Sequence, residues 1–198
     1  MMKKLNALVL ISGGIDSTVV LHWALDKGID CKCLTFRYKN QPKKEIEAIN
    51  KLCSKNKLDL FIIEHPSIYE FGRSNKNLEI NPNNLMYYSL AVSFSVGKNI
   101  DLIIGGQNKE DLIESKENIK HFYKKLNSLI IDCNSGQNLK IIQPFINFSK
   151  LEVVNLGIKL KVSFKDCWSC QRDGSKPCGK CSNCKTNLNI SKKLKISI

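Results

Sequence analysis

A short glycine turn between two apolar segments holds the residues of this sequence best suited to binding an anion. An apolar run ends at Ile11, Ser12-Gly13-Gly14 follow, and apolar residues with helical spacing resume at Ile15. Strand, glycine turn and helix form the phosphate sites of open α/β sheets, because glycine lets backbone N–H groups approach the anion closely. The helix N-terminus adds a partial positive charge. Nearby hydroxyls add donors from Ser12, Ser17 and Thr18. The pattern predicts a phosphate-binding turn.

Asp16 is the one acidic residue in this turn. A carboxylate beside a phosphate requires a cation between the two, so we interpret Asp16 as a Mg²⁺ contact, direct or through water. The turn lacks the lysine of a Walker A loop and the three spaced glycines of a dinucleotide-binding loop. The alternative interpretation is that Gly13-Gly14 only connects a strand tightly to a helix.

A second group of chemically capable residues lies near the C-terminus, where five of the nine cysteines fall between residues 167 and 184. Cysteines two residues apart can reach one tetrahedral ion, and four thiolates leave no open position for a substrate. The spacing therefore predicts a structural zinc site, with an Fe–S cluster as the alternative metal centre. Cys167 is a surplus thiol that either replaces a ligand or packs as a small apolar residue. The expected ligands are Cys170, Cys178, Cys181 and Cys184.

Length, charge and composition limit the class of protein. The chain has 198 residues, 42% of them hydrophobic, which suits one α/β domain with a small appendage. The net charge is +13, but only three basic residues are arginines, so we interpret the charge as compositional bias and do not expect a nucleic-acid partner. No apolar run reaches the ~20 residues of a membrane span, and the N-terminus shows no signal peptide. We expect a cytoplasmic protein without membrane attachment.

Alternating apolar segments predict the elements that position both groups. Regular alternation of strands and helices indicates an α/β fold with a doubly wound, mostly parallel sheet. A composition shift near residue 163 divides the chain into a domain over residues 1–162 and a small C-terminal zinc-binding segment over residues 163–198. Strands are predicted over residues 5–11, 30–38, 58–64, 101–105 and 139–142, and helices over residues 16–27, 42–57, 83–96, 116–130 and 149–157.

Several further features carry weaker predictions. Residues 65–82 are polar with little periodicity, which suits either a substrate lid or an ordinary connection. The remaining cysteines lie in strand and helix patterns and are expected in the core, namely Cys31, Cys33, Cys53 and Cys133. The histidines are isolated, and no Cys/His or Ser/His/Asp constellation is present, which favours a reaction driven by substrate activation and positioning over one with an enzyme nucleophile.

The two ends of the chain together resemble one family. Ser-Gly-Gly-x-Asp-Ser at the end of the first strand resembles the PP-loop of the ATP-pyrophosphatase superfamily. With the cysteine segment, the chain resembles the 7-cyano-7-deazaguanine synthase family of that superfamily, and the likeness covers most of the chain. It rests on Ser12-Gly13-Gly14-Ile15-Asp16-Ser17-Thr18, on Asn84 with Ser89-Leu90-Ala91, on Gly105-Gly106 through Asp111, and on Trp168-Ser169-Cys170 with Cys178, Cys181 and Cys184.

The resemblance implies an adenine nucleotide alpha hydrolase-like fold and an AMP-forming ligase that uses Mg-ATP and zinc. Such enzymes adenylate 7-carboxy-7-deazaguanine, form the amide with ammonia, and adenylate the amide to reach the nitrile. The implied partners are these small molecules, and a homodimer is compatible. Asp16 and Ser17 would be catalytic, and Asn84, Gly106 and Asp111 would contact the acceptor. ATP would be bound by Ile11, Ser12, Gly13, Gly14, Ile15, Asp16, Ser17, Thr18 and Leu21.

Two departures from the family pattern concern the acceptor. The family usually has Arg-Asn where this chain has Asn83-Asn84. After Asp111 it usually has Tyr-x-x-Tyr-Pro-Asp-Cys/Thr-Arg, and this chain lacks that arginine. An arginine fork is a natural carboxylate clamp. Two alternatives therefore stay open: the same adenylation on a different acceptor, including a tRNA or protein, or a zinc-bearing nucleotide-binding module without catalysis.

Overall fold

The computed structural model of the chain describes residues 4–39, 41–64, 83–114, 119–133 and 138–198. Its centre is a five-stranded sheet in which every neighbouring pair of strands is parallel. The strand order is β3-β2-β1-β4-β5. The strands are β1 (Asn6–Leu10), β2 (Asp30–Arg37), β3 (Leu60–Glu64), β4 (Leu102–Ile104) and β5 (Lys140–Ile142).

Helices alternate with the strands along the chain, as the apolar pattern predicted. They are α1 (Ile15–Asp26), α2 (Lys43–Asn56), α3 (Asn83–Ser95), α4 (Lys109–Glu114), α5 (Ile119–Cys133), α6 (Lys150–Lys159) and α7 (Ser182–Leu194), with a 3₁₀ turn over Phe164–Asp166. No helix within the described ranges has the length and apolar character needed to cross a membrane.

The strand order reverses between β1 and β4. The chain winds from β1 to β3 on one side, and then returns to place β4 and β5 on the other side. In open α/β sheets such a reversal leaves a crevice at the carboxyl ends of the strands, where ligands bind. The glycine turn follows β1 directly, so it lies at this crevice. The prediction of a doubly wound parallel sheet is confirmed.

Two apolar layers cover the sheet, because successive strand side chains point to opposite faces. On β1, Ala7 and Val9 belong to one layer, and Leu8 belongs to the other. The first layer takes apolar side chains from α1, α2, α6 and α7, and the second takes them from α3 and α5. Both faces are buried, which explains why the strands have continuous apolar runs.

Local signals set several element boundaries. Ser149 and Glu152 form the predicted capping box of α6, in which the Ser149 side chain accepts from the Glu152 N–H and the Glu152 side chain accepts from the Ser149 N–H. Pro42 lies one position earlier than predicted, at the N-cap of α2. The helices α4 and α7 were not predicted from the sequence.

Some sequence predictions have other outcomes. Cys31, Cys33 and Cys53 are buried as predicted, but Cys133 is exposed, so the prediction for Cys133 was wrong. It lies at the end of α5, where the apolar stripe of the helix has turned away from it. The suggested lid over residues 65–82 lies outside the described residues, as do residues 115–118 at the predicted start of α5. The division of the chain at residue 163 stays a prediction.

Candidate functional site

The glycine turn is held in shape by its backbone and by α2. Gly13 has a φ of +75°, and a Cβ atom there would lie 2.8 Å from the Glu45 carbonyl oxygen. Gly14 is extended and precedes α1, and the Thr18 N–H donates to the Gly14 carbonyl at 3.1 Å. The first N–H groups of α1 have no partner within the helix, which leaves them available to an anion.

The hydroxyls of the turn bond to each other and to its backbone. Ser17 Oγ accepts from the Ser12 N–H at 3.1 Å, lies 3.2 Å from Ser12 Oγ, and donates to the Gly14 carbonyl at 3.1 Å. Thr18 Oγ1 donates to the same carbonyl at 2.8 Å. These bonds fix the two serine hydroxyls at the carboxyl end of β1.

Asp16 forms an ion pair that the sequence did not predict. Its Oδ2 is bonded to Lys150 Nζ, from the first residue of α6. Its Oδ1 is buried and has no hydrogen-bond partner within the described part of the chain. A buried carboxylate oxygen without a partner is costly unless a donor or cation reaches it. The position therefore suits a hard cation such as Mg²⁺.

A cleft of about 1080 Å³ opens over the glycine turn. This volume is at the upper end of small-molecule sites, which span roughly 300–1,000 Å³. Its walls come from the glycine turn, the connection from β2 to α2, the starts of α4 and α6, and the cysteine tail (residues 163–198), which includes α7. The lining includes Ser12, Gly14, Ile15, Asp16, Ser17, Tyr38, Glu45, Asn108, Asp111, Lys150, Trp168, Arg172 and Asn187.

The predicted ATP-binding residues divide between this cleft and the core. Five of them line the cleft, namely Ser12, Gly14, Ile15, Asp16 and Ser17. Ile11, Thr18 and Leu21 are buried, and Gly13 packs against α2. The side chains of Ile11 and Leu21 belong to the apolar layer beneath the turn. Direct contact with ATP stays a prediction for the whole set.

The predicted acceptor residues are also divided. Asp111 lines the cleft, whereas Asn84 and Gly106 are absent from its described lining. A Cβ atom on Gly106 would lie 3.0 Å from the Asp16 carbonyl oxygen, so this glycine lets the end of β4 pass close to α1. Asn84 is half-buried in the first turn of α3.

A polar network joins the starts of α4 and α6 at the cleft. Asn108, which is only 2% exposed, accepts from the Glu110 N–H at 2.9 Å, and Asp111 Oδ2 accepts from the Asn108 N–H at 2.8 Å. Glu110 Oε2 accepts from the Lys150 N–H at 2.8 Å. The bond from Asn108 thus fixes the Asp111 side chain, and Asp111 also lines the cleft.

The four predicted metal ligands lie together. The sulfurs of Cys170, Cys178, Cys181 and Cys184 lie within 4.8 Å of one another. Zn–S bonds of about 2.3 Å in a tetrahedron place the sulfurs about 3.8 Å apart. The Cys178 and Cys184 sulfurs are 3.9 Å apart, which matches this spacing. The cluster can hold a metal ion, and the donor set suits zinc and Fe–S chemistry alike.

Backbone donors favour the thiolate form of Cys178. The N–H groups of Lys180 and Cys181 lower the pKa of Cys178 to about 6. The thiolate is the form that binds metal. Cys167 lies outside the cluster, with its sulfur 3.5 Å from Thr18 Oγ1, and burial raises its pKa. The structure therefore favours Cys170 over Cys167 as the first member of the cluster.

The cysteine tail is attached to the glycine turn. The Trp168 N–H donates to the Gly13 carbonyl at 2.8 Å, and the Asn183 side chain donates to the Ser169 carbonyl at 2.9 Å. A Cβ atom on Gly14 would lie 3.5 Å from Ser169 Oγ. The two groups of residues found in the sequence therefore form one site.

Sequence reasoning missed Lys150 and Arg172 as parts of this site. Lys150 follows the capping serine of α6, so the sequence signal marked it as a helix start and gave no indication of an Asp16 partner. Arg172 lies two residues after Cys170 and lines the cleft with an exposed side chain. The only feature of the sequence that could have drawn attention to Arg172 is that arginine is rare in this chain, with three in all.

The parallel sheet, the glycine turn at its reversal and the adjoining cleft define a doubly wound α/β protein with a crevice at the carboxyl ends of its strands. The family model of the queuosine biosynthesis protein QueC matches residues 6–81 and 74–193, and the chain belongs to this family.

Curated relatives agree with this placement. The chain is 30% identical to a 7-cyano-7-deazaguanine synthase from Picrophilus torridus, over 92% of this chain and 85% of that protein. It is 27% identical to one from Archaeoglobus fulgidus, over 91% of this chain and 83% of that protein.

Two solved structures share the fold. The U34-tRNA thiolase NcsA from Methanococcus maripaludis has a TM-score of 0.59 at 18% identity, covering 97% of this chain and 68% of that one. The NH₃-dependent NAD synthetase from Campylobacter jejuni has a TM-score of 0.54 at 22% identity, covering 84% and 68%. At these identities the likeness shows the fold alone.

Proposed function

We propose that the chain is an ATP-dependent ligase that converts 7-carboxy-7-deazaguanine and ammonia to 7-cyano-7-deazaguanine and releases AMP. The observation that carries the proposal is the single cleft that joins the glycine turn, Asp16 and the cysteine tail. The names of the relatives supply the acceptor, and the cleft supplies the parts that such a reaction needs.

The chemistry proceeds by two adenylations. A carboxylate oxygen attacks the α-phosphorus of ATP, the bond to pyrophosphate breaks, and an acyl adenylate forms. Ammonia attacks the carbonyl carbon, and AMP and a proton leave to give the amide. The amide oxygen attacks a second ATP and pyrophosphate leaves. AMP then departs with that oxygen, and the loss of both amide protons leaves the nitrile.

The glycine turn would bind the pyrophosphate end of ATP. Backbone N–H groups at the start of α1 are preorganised donors for phosphate oxygens, which would favour charge development on the leaving group. The Ser12 and Ser17 hydroxyls would leave their bonds to each other and to Gly14 to join these donors. A Mg²⁺ ion held by Asp16 would neutralise phosphate charge there. Asp16 Oδ1, which is buried without a hydrogen-bond partner among the described residues, supports this placement. No protein nucleophile is needed.

The acceptor would lie toward the cysteine tail and α4. Arg172 lines the cleft and offers a planar guanidinium that suits the acceptor carboxylate. It would supply the fork that the chain lacks between residues 112 and 118. Asp111 lies on the same cleft, and we include Asn84 and Gly106 in the proposed acceptor region on the family pattern.

The cysteine cluster would hold structural zinc. Four sulfurs around one ion leave no position open to substrate, and the sulfur spacing fits a tetrahedral ion. The metal would hold the tail so that Trp168 reaches the glycine turn.

The test is product formation by the metal-loaded protein. We expect Mg-ATP, ammonium and 7-carboxy-7-deazaguanine to give the nitrile, with two AMP formed per nitrile. Asp16→Asn should lower turnover by roughly a hundredfold or more, because phosphate charge loses its cation. The matched control is Asp26→Asn, exposed at the other end of α1, which should retain turnover. An absence of nitrile would overturn the acceptor, and ATP cleavage that depends on added tRNA would favour the alternative acceptor.

A further inference from the structure

The ion pair between Asp16 and Lys150 joins two parts of the chain that are 134 residues apart in sequence. Both residues line the cleft, and their side chains are 27% and 14% exposed respectively. The ammonium therefore occupies one oxygen of the carboxylate that the proposed mechanism gives to Mg²⁺. The other oxygen is the buried Oδ1 that has no partner among the described residues.

Lys150 is held in place from its backbone. Its N–H donates to Glu110 Oε2 at 2.8 Å, and it is the first residue of the capped helix α6. Glu110 is thereby bonded to the backbone of Lys150, and Asp111 is bonded to the backbone of Asn108. Asp16 is the carboxylate that holds the Lys150 ammonium.

We propose that Lys150 is an internal counter-ion that exchanges partners when Mg-ATP binds. In the free protein its ammonium holds Asp16 and keeps a divalent cation from binding there alone, because like charges at one carboxylate repel. The phosphates of the incoming nucleotide supply a second anion. The ammonium would then move to a phosphate oxygen, and Asp16 would be free to hold Mg²⁺. The proposal rests on the proposed use of ATP, and it makes Mg²⁺ binding depend on the nucleotide.

The experiment uses Mn²⁺ as a paramagnetic probe and α,β-methylene-ATP as a nucleotide that cannot be cleaved at the reacting bond. Electron paramagnetic resonance measures Mn²⁺ binding without nucleotide, and calorimetry measures binding of the analogue with Mg²⁺. Lys150→Met should tighten Mn²⁺ binding about tenfold, since Asp16 is released. It should weaken binding of the analogue roughly tenfold to a hundredfold, since a charge-assisted contact to phosphate is lost.

Three variants control the comparison. Lys150→Gln repeats the loss of charge with a polar side chain, in case the methionine variant does not fold. Lys150→Arg keeps the charge and should exclude Mn²⁺ as the wild type does. Lys159→Met, exposed in the last turn of the same helix, should leave both affinities unchanged.

The outcomes separate this inference from the proposed function. Failure of the wild-type protein to bind the analogue with Mg²⁺ would overturn the ATP site itself. If the wild type binds the analogue but Lys150→Met and Lys150→Gln bind Mn²⁺ no tighter, the counter-ion exchange is wrong and the ATP site stands. Tighter Mn²⁺ binding with unchanged affinity for the analogue would overturn the transfer to phosphate.

Discussion

Gly13 combines two constraints that separate it from an ordinary turn glycine. Its φ of +75° lies in the left-handed region, and a Cβ atom would lie 2.8 Å from the Glu45 carbonyl oxygen. Gly28 has a similar φ of +71°, but a Cβ atom there would meet nothing within 4 Å. The two positions therefore differ in crowding alone, which makes one a control for the other.

We expect Gly28→Ala to lower the free energy of unfolding by about 1 kcal/mol, which is the cost of the left-handed conformation. Gly13→Ala should lower it by about 2–4 kcal/mol, because the methyl group also pushes against the backbone of α2. Urea unfolding of both variants measures the difference. Equal losses would show that the contact with Glu45 has no energetic consequence.

At the scale of elements, the outer edge of β5 is covered by one side chain of α5. Lys140 and Ile142 bond to the β4 side, so the backbone of Ile141 points away from the sheet. Asn127 accepts from the Ile141 N–H at 2.8 Å and donates to the Ile141 carbonyl at 2.9 Å. The amide thus completes the strand edge in place of a sixth strand, which protects it from pairing with another chain.

Asn127→Ala should therefore lower the free energy of unfolding by about 2 kcal/mol, because two backbone groups of Ile141 lose their partners. Asn138→Ala, at an exposed residue beside β5, is the control and should change it by less than about 0.5 kcal/mol. Thermal and urea unfolding measure both. A loss at Asn127 no larger than at Asn138 would contradict the proposed edge contact.

Two ion pairs join the cysteine tail to α2. Asp166 is 12% exposed and bonds to Lys51 Nζ and to Lys55 Nζ, each at 2.5 Å. These ammonium groups hold the pKa of Asp166 well below its usual value of 3.8. A carboxyl group with a lowered folded-state pKa contributes stability above its unfolded pKa, and loses that contribution as the pH falls toward the folded value.

We expect Asp166→Asn to be about 1 kcal/mol less stable than the wild type at pH 7, since both lysines are more than half exposed and solvent screens them. The difference should shrink below about pH 4, where the unfolded carboxylate is protonated. Urea unfolding from pH 7 to pH 3 measures it. Asp132→Asn, exposed on α5, serves as the control, and a difference independent of pH would contradict the ion-pair origin.

Whether a feature could be predicted from the sequence depends on how far apart in sequence its residues lie. The glycine turn, the capping box at Ser149 and the cysteine spacing are local patterns, and each was found from neighbours in sequence. The Asp16–Lys150 pair and the Trp168–Gly13 bond join distant segments, and depend on the strand order, which no local pattern encodes. Helix α7 was missed because its mean apolar content is low and its anchors are Cys184 and Ile190, which pack only in the folded chain.

At the scale of the whole molecule, residues from both ends of the chain line the cleft. The glycine turn follows the first strand, and another part of the cleft wall comes from the cysteine tail, including α7. The tail reaches the turn through Trp168 and Ser169, and Asn183, beside Cys184, bonds to the Ser169 carbonyl. Metal at the cluster should therefore affect nucleotide binding without contacting the nucleotide.

Removal of the metal tests this connection. We expect zinc by elemental analysis, and we expect a chelator to lower the melting temperature by roughly 10 °C, because metal binding contributes to folding. Affinity for the nucleotide should fall about fivefold, the effect of losing one hydrogen bond that holds the turn. Cys178→Ser should reproduce both changes, and Cys133→Ser, at an exposed thiol far along the chain from the cluster, should cause neither.

The two readouts must change together for the connection to hold. A metal-free protein with a lower melting temperature but unchanged nucleotide affinity would show that the Trp168–Gly13 bond survives without the metal. Readdition of zinc provides the decisive comparison, since it should restore nucleotide affinity in the wild type and leave Cys178→Ser unchanged. Restoration in both would place the effect outside the cysteine cluster, because a serine hydroxyl is a poor substitute for the missing thiolate.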